Sequence, residues 1–161
     1  VFYPTGGKEI QTPGKSFLNR AEADVVVSIV KELLRHGLKP GELGVITPYM
    51  GQVVALKEAL QEAKIPVVAK GSKNKLVEVN TVDAFQGSEK DVIIISTVRA
   101  NKHGQVGFLK DKRRMNVALT RAKRGLIVIG DPTTLKHDPC WNEWLQHHKA
   151  NYVSPMMRTE R

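Results

Sequence analysis

The stretch VIIISTV, residues 92–98, decides the fold. An apolar run of mostly β-branched residues, with Glu89, Lys90 and Asp91 just ahead of it, reads as a strand buried on both faces. Working outward, LGVIT at 43–47 and LIVI at 126–129 read the same way, and VEVNTV at 77–82 and VVA at 67–69 add further strands. Helical stripes lie between them. Asn19 can cap a helix, with Glu22 three positions on to complete a capping-box-like start. Val26, Ile29, Val30, Leu33 and Leu34 then form one apolar stripe that Gly37 ends. Val53, Leu56 and Leu60 line a second helix. Asp111 caps a third, with Met115, Ala118, Leu119 and Ala122 facing inward and Gly125 closing it. A short helix over 139–148 and a basic tail over 151–161 finish the chain. Strand followed by helix, several times over, predicts an α/β fold with a parallel sheet between layers of helices.

The 161 residues suit one domain, with 41% hydrophobic and 25% charged residues. Lys and Arg number 25 against 16 Asp and Glu, a formal charge of +9 that favours polyanionic partners through counterion release. Aromatics are only 6%, so composition does not advertise a stacking surface. The single cysteine, Cys140, excludes an intrachain disulfide and fits an intracellular setting, cytoplasmic or nuclear. The longest apolar run, residues 92–95, is far too short to cross a bilayer, so no membrane partner is expected. The chain opens on Val1 without an initiator methionine and reads as part of something larger.

Two segments imitate nucleotide sites. Pro13-Gly14-Lys15-Ser16 ends like a phosphate-binding loop, but that loop needs a glycine at position 9, where Glu9 would repel a nucleotide. The strand at 126–129 runs into Asp131, but Pro132 stands where a second acid would orient the attacking water. Without a phosphate cradle or a magnesium site, this chain is not expected to hydrolyse ATP alone. His137, Cys140, His147 and His148 match no strong zinc spacing, and no metal site is expected.

Three segments carry more specific information. Residues 47–52, TPYMGQ, place polar side chains at a strand-to-helix turn, where free helix N–H groups can hold a phosphate. Residues 79–91, VNTVDAFQGSEKD, end a strand in Asn80 and Thr81 and then present a glycine turn beside Gln86 and Glu89. Thr81 can donate to a nucleic-acid phosphate, and Glu89 can accept from ribose hydroxyls. Residues 113–124, RRMNVALTRAKR, put Arg114 and Arg121 two turns apart on the third helix, beside its apolar stripe. A guanidinium there keeps its charge and suits a phosphoryl group in transfer. Lys112, Arg113, Lys123 and Arg124 read as a solvated basic face.

In this order, TPYMGQ, VDAFQGSEKDVIIIS and RRMNVALTRAKRGLIVIGD closely resemble motifs IV, V and VI of superfamily 1 helicases, in the branch of the nonsense-mediated-decay helicase and senataxin. SFLNRAEA, residues 16–23, resembles that branch's entry to the same domain, so the likeness runs from about Phe2 to Leu135. The resemblance implies a second RecA-like domain over residues 1–150, a fold of the P-loop NTPase kind without its own P-loop. It implies ATP in a cleft shared with a first RecA-like domain, which would hold most of the Mg2+ and is absent here, as is the branch's Cys- and His-rich module. By this likeness Arg121 is the arginine finger, Glu89 contacts the ribose, Gly87 shapes the turn and Gln86 lies near the phosphates. Thr47, Tyr49, Gln52 and Thr81 would face single-stranded RNA or DNA. The expected function is the C-terminal half of an ATP-dependent 5′–3′ helicase, inactive alone. The alternatives are a non-catalytic strand-binding or scaffold module that has kept the fold, and a domain that docks a protein on its basic face.

Overall fold

The computed structural model describes residues 1–68, 76–85 and 88–148. In chain order the elements begin with β1 (Phe2–Pro4), β2 (Ile10–Gln11), β3 (Phe17–Leu18), α1 (Arg20–Arg35), β4 (Leu43–Thr47) and α2 (Met50–Glu62). They continue with β5 (Val67–Val68), β6 (Val77–Thr81), β7 (Lys90–Ser96), α3 (Lys112–Leu119), β8 (Ala122–Gly130), α4 (Pro132–Leu135) and α5 (Pro139–His147). Six strands among the described residues form one sheet in the order β1-β8-β7-β4-β6-β5, and every neighbouring pair is parallel. β2 and β3 make a separate antiparallel hairpin. Residues 12–16 form its turn, so the GKS segment is a surface loop closed by Thr12 N donating to Ser16 O at 2.9 Å.

The apolar strands separate two cores because side chains alternate across a sheet. Leu43, Val45, Val79 and Ile94 pack with Val26, Val30, Val53 and Leu56 of α1 and α2. Ile46, Ile93, Ile95 and Val128 face the other way, toward Met115 and Ala118 of α3 and Trp141 and Leu145 of α5. Gly44 lets the Phe85 ring lie on the sheet, since a methyl there would sit 3.0 Å from two ring carbons and 2.9 Å from Ile93 Cδ1. That close approach seats Phe85, just after β6, against the sheet.

Most local signals at the helix ends are realised. Asn19 Oδ1 accepts from Glu22 N at 3.1 Å and caps α1. At the other end Gly37, with φ +102°, lets Leu38 N reach Leu33 O and its own N–H reach Leu34 O, both at 3.1 Å. The capping box itself is only half made. Asn19 N donates to Gln52 Oε1 at 2.9 Å, and the Glu22 carboxylate turns instead to the end of β7.

The third helix departs most from expectation. Asp111 caps it, accepting from Arg114 N at 3.2 Å, but α3 stops at Leu119 instead of running to Gly125. From Ala122 the chain joins β8, pairing Ala122 with Lys90 and Gly125 with Val92 across an irregular step in the ladder. Residues 120–125 have a helical pattern, but the unpaired edge of β7 offers them a ladder, and tertiary pairing overrides the local preference. β7 likewise begins two residues earlier than the apolar run. The Lys90 ammonium is buried, donating to Gly41 O at 3.1 Å and lying 3.9 Å from Glu78 Oε1. β7 ends at Ser96 because Val98 leaves the strand with φ +70°. Of the expected strand 67–69, Ala69 lies outside the described residues, as does the basic tail over 151–161.

Candidate functional site

Parallel strands share a carboxyl edge, and the connections reverse direction there between β4 and β7. After β4 the chain leaves through α2 toward β5 and β6; after β7 it leaves through α3 toward β8. Ligands of open parallel sheets gather outside such a switch point. Thr47, Tyr49, Gln52 and Thr81 all lie at this edge, but only Thr81 is open enough to meet a strand. Its Oγ1 accepts from Ala84 N at 3.4 Å and starts the crossover.

The other three are corrections to the expected strand-facing set. Thr47 is fully buried, and its Oγ1 has no hydrogen-bond partner among the described residues. Tyr49 is 4% exposed, with Phe108 stacked on it at 5.3 Å and Phe17 edge-on at 5.3 Å. Gln52 is 0% exposed and works as an internal clamp. Its Oε1 accepts from Asn19 N at 2.9 Å, and its Nε2 donates to Asn19 O at 3.1 Å and Ser96 Oγ at 3.0 Å. Gln52→Ala is therefore expected to cost about 2–3 kcal/mol of stability, because it strands these buried partners and leaves a void. Urea unfolding checks this, and a midpoint unmoved from wild type would show that the clamp does not hold α1 to the sheet.

Ser96 extends the clamp to Glu22. Glu22 Oε1 accepts from Ser96 Oγ at 2.9 Å and Val98 N at 3.0 Å, and Glu22 Oε2 accepts from Asn19 Nδ2 at 3.2 Å. Burial pushes the Glu22 carboxyl up to about 8; the hydrogen bonds pull it down and the charge of Asp131 adds to the rise. Beyond Val98, Arg99 carries the network to the surface. Its Nε donates to Glu9 Oε1 at 3.0 Å and its Nη1 to Tyr49 Oη at 3.2 Å, and its Cζ lies 4.1 Å from the Phe17 ring centroid. Burial works against the Arg99 charge, but the hydrogen bonds to Glu9 and Tyr49 outweigh it and raise its pKa. Glu9, the residue that spoils the phosphate-loop pattern, thus anchors an arginine.

Because α3 runs back against the strands, its ends lie at opposite edges of the sheet. Arg114, in its first turn, stays at the carboxyl edge, 3.3 Å from Asp83 and 3.7 Å from Asp111. Arg121 follows the helix and arrives at the amino edge, so the two arginines are not neighbours on one helical face. Its carbonyl accepts from Lys90 N at 3.2 Å, which puts it beside the residue after Glu89. Arg121 Nε donates to Val117 O at 3.2 Å, pinning the half-buried stem to the last turn of α3. Among the described residues its terminal nitrogens have no ion-pair partner. Glu89 is exposed at the same edge. Gln86 and Gly87 lie outside the described residues. Lys123 and Arg124 are exposed there too, Arg124 pairing with Asp91 at 3.5 Å.

Sequence reasoning missed Phe108, Arg99 and the sheet-ward role of Glu22. The available signal was position: Arg99 and Phe108 follow the strongest strand, in the loop that must open at the carboxyl edge.

A family model described as an AAA domain matches residues 1–133. The putative regulator of nonsense transcripts 1 of Takifugu rubripes is 48% identical over 153 residues, covering 94% of this chain and 14% of its own length. The ATP-dependent helicase NAM7 of Saccharomyces cerevisiae is 47% identical over 148 residues, covering 89% of this chain and 14% of its own. This chain therefore spans about one seventh of the curated relatives it matches. Among solved structures, the C-terminal domain of a possible DNA helicase from Lactobacillus plantarum WCFS1 has a TM-score of 0.58 at 18% identity. That likeness covers 81% of this chain and 72% of that one, and it bears on fold alone, which is RecA-like.

Proposed function

The chain belongs to the AAA_12 family of AAA domains, in the superfamily 1 helicases, and from that premise we propose that it is the C-terminal motor half of an ATP-dependent 5′–3′ helicase. The observation that carries the reading is Arg121, its stem pinned to Val117 and its charged end unpaired among the described residues, at the same edge as exposed Glu89. A first RecA-like domain facing that edge would bind ATP and hold most of the Mg2+. Arg121 would then meet the γ-phosphate as the arginine finger, Glu89 would accept from the ribose, Gly87 would shape the turn and Gln86 would lie near the phosphates. A guanidinium suits the finger's role because it cannot lose its proton and presents a planar fork of donors to phosphate oxygens.

The strand would cross the opposite, carboxyl edge, where Thr81 is partly exposed and Arg114 adds positive charge. Separate edges for nucleotide and strand let one rigid domain couple them: closure of the cleft moves the strand contacts as a body. The relatives' names speak of transcripts, which favours RNA as the first strand to try. The test is ATP turnover with and without single-stranded RNA or DNA, for the full-length protein and for this chain alone. Strand-stimulated turnover by the full-length protein and none by the chain is expected. Turnover by the chain alone, or full-length protein that binds a strand without any nucleotide effect, would mark a different machine or a passive binder.

A further inference from the structure

Phe108 is 52% exposed, yet its ring packs on a buried one, Tyr49, at 5.3 Å. Tyr49 stacks beneath it at an interplanar angle of 25°, and Tyr49 Oη accepts from the Phe108 backbone N–H at 3.3 Å and from Arg99 at 3.2 Å. Gly107, with φ +55°, makes the bend that brings the ring in; a methyl there would collide with Arg99 Nη1 and Tyr49 Oη. A second bend lies underneath. Arg99 N donates to Thr97 O at 2.7 Å around Val98, whose φ of +70° is costly for a buried β-branched residue. Glu22 and Asn19 hold that bend, gripping Val98 N and Val98 O at 3.0 Å each. Just beyond the bend, Arg99 reaches the Tyr49 hydroxyl and the Phe17 ring.

We propose that Phe108 is a stacking platform for one unpaired nucleobase of the strand, with Arg114 at its rim taking the adjoining phosphate or covering the base. This rests on the strand-binding reading above and assigns that surface an aromatic contact. An exposed ring backed by a second ring loses little freedom on meeting a base, and every base offers a π face. Arg114 Cζ lies 5.5 Å from the Phe108 ring centroid, and its ion pairs to Asp83 and Asp111 are exposed enough to exchange cheaply. Lys102, Lys110, Lys112 and Arg113 are all exposed on the same loop and helix start, supplying the field that tracks a phosphate backbone. The platform stands at the switch point between β4 and β7.

The test compares binding of the nucleotide-free full-length protein to a single-stranded RNA oligonucleotide and to an abasic strand of equal length and charge. Phe108→Ala is expected to weaken binding to the base-bearing strand about 5- to 100-fold and to leave abasic-strand binding unchanged. Phe108→Trp should restore the base-dependent increment. Phe108→Leu, which keeps apolar bulk on Tyr49, should lose most of it. Equal weakening on both strands would show that Phe108 packs against protein instead, and no weakening would show an idle ring; either overturns the platform while leaving the motor reading intact. If wild type binds neither strand, both readings fall together.

Discussion

Arg121→Ala in the full-length protein is expected to lower strand-stimulated ATP turnover about a thousandfold. The expectation comes from how the side chain is held. Its Nε spends one donor on Val117 O at 3.2 Å, fixing the direction of the guanidinium, and its carbonyl is tied into the β7 ladder through Lys90. What remains is a charge preorganised at an edge that a neighbouring domain can cover, where excluded water makes it worth far more than on an open surface. About a thousandfold in rate is about 4 kcal/mol of transition-state stabilisation, too much to come from a surface charge. Arg121→Lys should recover little, since an ammonium has neither the fork nor the pinned stem. Arg124→Ala is the matched control: Arg124 is exposed at the same edge and paired only loosely with Asp91, so turnover should change less than about twofold. Turnover of Arg121→Ala within a few-fold of wild type would remove the arginine finger from the mechanism.

Stability should fall as pH rises from about 4.5 to about 8, with Glu22 as one cause. Its pKa is raised from 4.5 to about 8 by burial, so the fold prefers the neutral acid. The sign follows from linkage. Below pH 4.5 folded and unfolded chains both carry the proton, and the contribution is fully present. Between the two values the unfolded chain ionises first and the fold loses ground; above about 8 both are ionised and the loss is complete. A rise of this size amounts to something on the order of 5 kcal/mol across the window. Glu22→Gln removes the titration, so the variant should gain on wild type steadily through that window and run parallel outside it. Any constant offset from the altered contact with Asn19 leaves the slope untouched. Urea denaturation at a series of pH values, followed by the fluorescence of Trp141 and Trp144, measures it. Parallel curves for wild type and variant from pH 4.5 to 8 would mean that Glu22 is not the group responsible.

Glu22 also marks where local reading stops. Asn19 and Glu22 do begin a helix, and that much is a matter of residues three apart. The box stays open because the competing partners are Gln52 and the end of β7, and no local pattern announces hydrogen bonds that span 33 and 76 residues. Tyr49 and Gln52 mislead in the same way. Polar groups at the carboxyl end of a strand are a sound cue for a ligand, but a buried clamp between helix and sheet uses the same residue types at the same place. The stacked ring above them, Phe108, is what reaches solvent.

The sequence by itself determined the layered parallel architecture, the strand at 43–47, the caps at Asn19, Gly37 and Asp111, and the family. Each of these rests on periodicity, on a cap a few residues long, or on a contiguous motif string. Only the tertiary structure decided which edge of the sheet each motif occupies. α3 ends at Leu119 and β8 begins at Ala122, on either side of Arg121, because β7 has an open ladder there, and this carries Arg121 to the amino edge while Arg114 stays at the carboxyl edge. Spacing along a chain records neither edge. It becomes geometry only when strands distant in sequence pair.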